Sequence, residues 1–213
     1  CGIAVDAGTR AELPTESGIA HFTEHMTFKG TRRRSALQII NRLEGVGGEL
    51  NAYTGKEETV YYSAVGPKHL PRALDLLFDI VFNSTYPEAE MRREAEVVAD
   101  EIESYNDSPS ELIFDEFDSI LFPNHPLGRN ILGDADALRT HTPAVMSAYT
   151  ARLYRPDNAV VFISGPIDED KILRYLEPRV ATLATPTPFI PREATPALTI
   201  SSEPTLATPT PFI

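Results

Sequence analysis

Apolar residues recur along this chain at two spacings, and the switches between them outline its elements. Between Ser17 and Phe28, and again over Ala36–Leu43, they fall three and four apart, the period of a helix with one buried face. Ser17 is the expected N-cap of the first helix. Gly30 stops that helix where a left-handed residue is wanted, and Gly45, Gly47 and Gly48 end the second. Glu49–Thr54 and Thr59–Val65 then read as strands, joined through Gly55-Lys56-Glu57-Glu58 as a hairpin, and Ile3–Val5 reads as another. Helical spacing returns over Leu70–Phe82, Pro87–Tyr105 and Ser110–Leu121. Pro123, Pro126, Gly128 and Gly133 make Phe122–Gly133 a structured loop. A helix over Pro143–Tyr154, a strand over Ala159–Ser164 and a helix over Asp168–Leu176 follow. Strands and helices are interspersed without strict alternation. The expected fold class is α+β, a mostly antiparallel sheet with helices packed against it.

Past Pro178 the pattern breaks. TLATPTPFI occurs twice, over Thr182–Ile190 and Thr205–Ile213, too short and too rich in proline to form stacking units. The expected organisation is one domain over 1–180 and a Pro/Thr-rich tail over 181–213 that carries the repeated segment, a linker or an artefact.

Composition narrows the class. With 42% hydrophobic and 23% charged residues the chain reads as a soluble globular protein, and no apolar run is long enough for a membrane span. The start lacks the basic region and apolar block of a leader. A net charge of −12 argues against nucleic acid, and suits either a basic peptide partner or solubility alone. One Cys permits no internal disulfide and no Cys-rich zinc knuckle, so a metal would be held by His and carboxylate. Cytoplasmic, matrix-like and periplasmic settings are all compatible.

The chemistry lies in His21-Phe22-Thr23-Glu24-His25. On a helix, residues four apart share a face, so His21 and His25 can grip one ion with Glu24 beside it, an inverted H-x-x-E-H zinc motif. Two imidazoles do not complete a catalytic site, which usually has three protein ligands. Glu94 and Glu101, two turns apart on one helix, share a face with Val97 and Val98 toward the core. A carboxylate on an inner face is costly unless paired or metal-bound, which makes Glu101 the third-ligand candidate and Glu94 a partner orienting a ligand, though periodicity alone barely separates the two. Asp100 and Glu103 point elsewhere.

Gly18–Thr31 closely resembles the zinc-site helix of the pitrilysin, insulin-degrading enzyme and mitochondrial processing peptidase superfamily. Gly47–Thr54 is similar to its substrate-binding strand, and Glu94–Glu101 to its acidic helix. His125–Gly133 and Tyr154–Val161 resemble the processing-peptidase branch. The resemblance implies one Zn²⁺ held by His21, His25 and Glu101, with Glu24 as general base and Glu94 orienting a ligand. It implies hydrolysis of short or unfolded peptides, presequences among them, bound as an added strand along Asn51, Ala52 and Tyr53 with Phe28 beside the cleavage point. It also implies a second homologous half closing the chamber, since this chain matches one half only. The alternative within the superfamily is a non-catalytic peptide-binding or scaffold subunit, and outside peptides, a small-molecule zinc hydrolase or lyase using the same inverted motif.

Blander readings hold elsewhere. His69, His125 and His141 read as surface or loop residues, Tyr53 as cross-strand packing opposite Tyr61 or Tyr62, and Arg32-Arg33-Arg34 as a solvated face. Cys1 has no base near it in sequence and is no nucleophile.

Overall fold

In the computed structural model, which describes residues 1–183, the chain runs in order β1 (Gly2–Val5), α1 (Ile19–Thr27), α2 (Ala36–Glu44), β2 (Glu49–Thr54), β3 (Thr59–Ala64), α3 (Leu70–Phe82) and α4 (Glu88–Asn106). It continues through α5 (Pro109–Leu121), α6 (Ala135–Thr140), α7 (Pro143–Leu153), β4 (Ala159–Phe162) and α8 (Glu169–Thr182). The sheet order is β2-β3-β1-β4 with every pair antiparallel, and the fold is α+β as expected.

Alternation along the strands decides which face the helices cover. Ile3 and Val5 of β1 are fully buried, opposite Tyr61 and Thr59 of β3. These positions face Phe22 and Met26 of α1 and Leu76, Leu77 and Ile80 of α3 across one core. Each such side chain removed from water contributes about 1.5–3 kcal/mol, which orients α1 and α3 on the sheet. The opposite face leaves Tyr53, Tyr62, Val160 and Phe162 exposed. Among the described residues no strand lies outside β2, so its outer edge is free.

Several local expectations need correction. Ser17 does not cap α1. Gly18 takes that place at φ 75°, and the cap acceptor comes from Glu12, whose carboxylate receives Gly18 N at 3.2 Å and Ala20 N at 3.0 Å. A Cβ on Gly18 would meet Leu132 O at 2.6 Å, so glycine is required there on two counts. Helix α6 was not legible: Leu138 is its one buried residue, so no apolar stripe marks it. Helix α8 runs past Leu176 to Thr182 with Pro178 inside it. The Arg179 guanidinium, bonded to Tyr175 O at 2.7 Å and stacked 3.5 Å over the Tyr175 ring, ties the turn around Pro178. The second TLATPTPFI copy, and the first beyond Leu183, lie outside the described residues.

Three side chains also depart from expectation. Val97 is half exposed while Val98 is buried. Arg34 is no solvated residue: it pairs with Asp75 and with Asp79, a buried carboxylate that also accepts from Thr31 Oγ1 at 2.8 Å. His141 is buried against the Phe22 ring and donates from Nε2 to Ser17 O at 3.1 Å.

Candidate metal centre

Helix α1 carries His21, Glu24 and His25 on its exposed end of the core, and α4 packs across it to bring Glu94 and Glu101 alongside. The two imidazole rings meet edge to face, centroids 4.6 Å apart. Glu101 Oε1 lies 3.9 Å from His21 Nε2, and its Oε2 lies 3.5 Å from His25 Nε2. One donor atom from each of His21, His25 and Glu101 falls within 4.8 Å of the others. Glu94 comes no nearer the cluster than the far side of His25, where its Oε1 is 2.9 Å from Nδ1. The two glutamates that periodicity left as alternatives thus occupy different places.

Burial divides them as well. Glu94 is buried, as the inner-face argument requires, whereas 45% of the Glu101 side chain reaches solvent at the open mouth of the cluster. Burial pushes the Glu94 carboxyl up, but hydrogen bonds from His25 and Lys29 outweigh it and leave the group below the usual carboxylate range. Burial, with the neighbouring His25 adding to it, pushes His21 down to about 3, so its ring stays neutral with a lone pair to give. At His25 burial acts in the same direction, but the Glu94 bond and the charges of Glu101, Glu94 and Glu24 raise it overall.

This donor set fits a zinc ion. Two imidazole nitrogens and one carboxylate oxygen are a usual catalytic set, and Glu94 Oε1, 2.9 Å from His25 Nδ1, is placed to accept from an Nδ1–H, which would leave Nε2 free toward the cluster. Of the three carboxylates near the two imidazoles, Glu94 is paired with Lys29, while Glu101 reaches solvent at the mouth of the cluster. His21 Nδ1 is buried without a hydrogen-bond partner among the described residues.

Glu24 stands beside the cluster. Burial raises its carboxyl above the ordinary range, the Thr54 hydrogen bond and His25 oppose that, and the Glu101 charge adds to it. A cavity of about 310 Å³ opens over this group, walled by Ala52, Tyr53 and Thr54 of β2, by Tyr105 and Asp115, and by Ile131 and Leu132. Asn51 is exposed on the same edge strand, and its Oδ1 accepts from Ala52 N at 2.8 Å. Tyr53 stands opposite Val60 in register, not opposite Tyr61 or Tyr62, and its half-exposed ring meets Tyr62 diagonally, centroids 6.4 Å apart. Phe28 follows α1, partly buried with its ring 6.4 Å from Tyr61, and does not wall this cavity. A larger cavity, about 580 Å³, lies between α4 and the α6–α7 segment and holds no such converging cluster.

Residues 1–135 match the family model described as insulinase (peptidase family M16), and residues 141–210 match that of the peptidase M16 inactive domain. The chain belongs to peptidase family M16. Its motif resemblance is thereby borne out. Among M16 relatives, an uncharacterized zinc protease of Rickettsia bellii is 40% identical over 170 residues, 80% of this chain and 41% of that protein. The human mitochondrial-processing peptidase subunit beta is 38% identical over 172 residues, 81% of this chain and 35% of its own length. A protease from Helicobacter pylori superposes with a TM-score of 0.80 at 26% identity, over 89% of this chain and 47% of the other. The first half of the Escherichia coli periplasmic protease PqqL superposes at 0.77 and 26% identity, over 91% of this chain and 44% of the other. The chain therefore spans less than half the length of each of these matched chains. No described helix is long and apolar enough to cross a membrane.

Sequence reasoning missed contacts around the M16 motif. Thr54 on Glu24 and Lys29 on Glu94 are made by side chains whose roles appear only once β2 and α4 are docked on α1. Asp115 joins Lys56 Nζ at 2.6 Å and Tyr105 Oη at 3.0 Å, holding α5 against the hairpin loop and the end of α4.

Proposed function

We propose that this chain is the catalytic half of a zinc metalloendopeptidase that cuts extended peptides. The observation that carries the reading is the convergence of His21, His25 and Glu101 with Glu24 beside them. One zinc ion held by those three residues would supply Lewis acidity, lowering the pKa of water and polarising a peptide carbonyl. Glu24 is the base: its carboxylate takes a proton from the attacking water as the oxygen bonds to the carbonyl carbon. It then passes that proton to the amide nitrogen as the C–N bond breaks. Its raised pKa suits both transfers.

The free edge of β2 offers main-chain groups to a substrate strand, so the peptide binds extended and its side chains matter less than its backbone. Asn51, Ala52 and Tyr53 lie along that edge strand. Presequence-like basic peptides fit the net charge of −12. A second homologous half would close over the open mouth, consistent with the chain's share of its relatives' length. The scaffold alternative is disfavoured because all four motif residues are present. Elemental analysis of chelator-free protein tests the reading: about one zinc per chain is expected, and Glu24→Gln should keep it while peptide cleavage disappears. Protein free of zinc would refute the site.

A further inference from the structure

Lys29 stands one helical turn beyond His25, where α1 has ended and Gly30 turns the chain away at φ 145°. Its own N–H still donates to Met26 O at 3.1 Å, so the backbone under this side chain is fixed by the helix. The ammonium lies 2.5 Å from Glu94 Oε2, while Glu94 Oε1 lies 2.9 Å from His25 Nδ1. The two oxygens of one carboxylate are thus divided between a cation and an imidazole. Solvent reaches 29% of the Lys29 side chain and 10% of that of Glu94, so water competes weakly for either.

We infer that Lys29 is a positioning residue of the metal centre: by holding Glu94 Oε2 it turns Glu94 Oε1 onto the Nδ1–H of His25, which leaves His25 Nε2 as the metal donor. This inference rests on the metal reading above. A glutamate carboxylate rotates broadly about its last bond unless both oxygens are held. Glu94 also faces two hydrogen-bonding possibilities at His25, since a neutral imidazole carries its proton on either nitrogen. An ammonium on Oε2 removes the first freedom, and the aimed Oε1 removes the second. A salt bridge that served only to join Lys29 to α4 would leave the imidazole indifferent to its loss.

The test compares Lys29→Met and Lys29→Arg with the unaltered protein. Zinc dissociation constants are measured by chelator competition. The ¹⁵N shifts of His25 and the melting temperature are read on metal-free protein. Lys29→Met should weaken zinc about tenfold, the usual cost of losing a partner behind a ligand. Lys29→Arg, which can still grip Oε2, should stay within about threefold. In metal-free Lys29→Met the His25 Nδ1–H signature should fade, and in Lys29→Arg it should persist, with both variants melting together. Lys29→Met that binds zinc as tightly as the unaltered chain and keeps its His25 shifts would overturn the inference. If the unaltered chain takes up no zinc, the metal reading fails by itself, and the His25 shifts still decide the role of Lys29.

Discussion

Thr54 Oγ1 lies 2.5 Å from Glu24 Oε2 and donates to it, so the last residue of an edge strand holds the carboxylate carried by α1. Thr54 is itself kept in place by the hairpin, where Thr59 pairs with it across the strands and anchors to Ala7 O at 2.9 Å. The strand that would receive a peptide and the base that would act on it therefore share one hydrogen bond. Replacing Thr54 with Val keeps the β-branched shape and removes the donor. In protein carrying both halves, kcat/KM should fall about tenfold, a fraction of what a general base supplies. Thr54→Ser should recover most of it, with zinc content unchanged in both. A Val variant with full activity would break the link.

Glu101 and Glu94 should separate under mutation because one faces the cluster and the other stands behind it. Glu101→Gln removes an anionic donor and should abolish tight zinc binding. Glu94→Gln keeps all three donors and should weaken binding about 10–100-fold. Isothermal titration of both variants distinguishes them, and equal affinities would contradict the assigned places.

What the sequence disclosed follows the range of the forces involved. The helices α2, α3, α4 and the hairpin were legible within a residue or two, because each has its own apolar period or turn. His21, Glu24 and His25 were legible because four residues of helix bring them together locally. Glu94 and Glu101 could not be told apart by period alone, since only docking on α1 shows that α4 carries Glu101 out to an open mouth. The cap of α1 was hidden for the same reason: its acceptor, Glu12, lies six residues upstream and reaches Gly18 through tertiary structure. His141 looks like a loop residue in sequence, yet packing against Phe22 buries it.

Arg34 gives the sharpest contrast with its sequence neighbours. Its guanidinium is 11% exposed and partners both Asp75 and the fully enclosed carboxylate of Asp79. Removing it strands Asp79 in the core with Thr31 as its remaining donor. Arg34→Met should destabilise the fold by about 3 kcal/mol, as breaking a buried pair does. Arg33, 60% exposed and 3.5 Å from Asp75, should cost less than about 1 kcal/mol when changed to Met. Urea unfolding of the two variants checks this, and comparable losses would return Arg34 to the solvated face.

Glu12 should give the protein a measurable pH dependence. Burial raises its carboxyl to about 7, against the bonds from Ala20 and Gly18 and the charge of Arg129 that favour ionisation, with Glu16 adding to the rise. The unfolded value is 4.5, so between these limits the folded chain holds a proton that the unfolded chain has released. Stability from this group is complete below about pH 4.5 and is lost as pH rises through about 7, by at most about 3 kcal/mol. His21 acts in the opposite sense from about pH 3 to 6.5, overlapping this window, because its folded value is depressed, but that contribution is common to any comparison that leaves His21 in place. Glu12→Gln cannot ionise; its amide oxygen accepts from only one of the two backbone donors, which bond to different oxygens in Glu12, so it carries a fixed offset that does not change with pH. The stability difference between Glu12→Gln and the unaltered chain should therefore grow in favour of Gln from pH 4.5 to 7. Denaturant titrations at half-unit intervals on metal-free protein measure it. A difference that stays flat across that window would mean that the two backbone donors keep Glu12 ionised, and that the cap of α1 is an anion throughout.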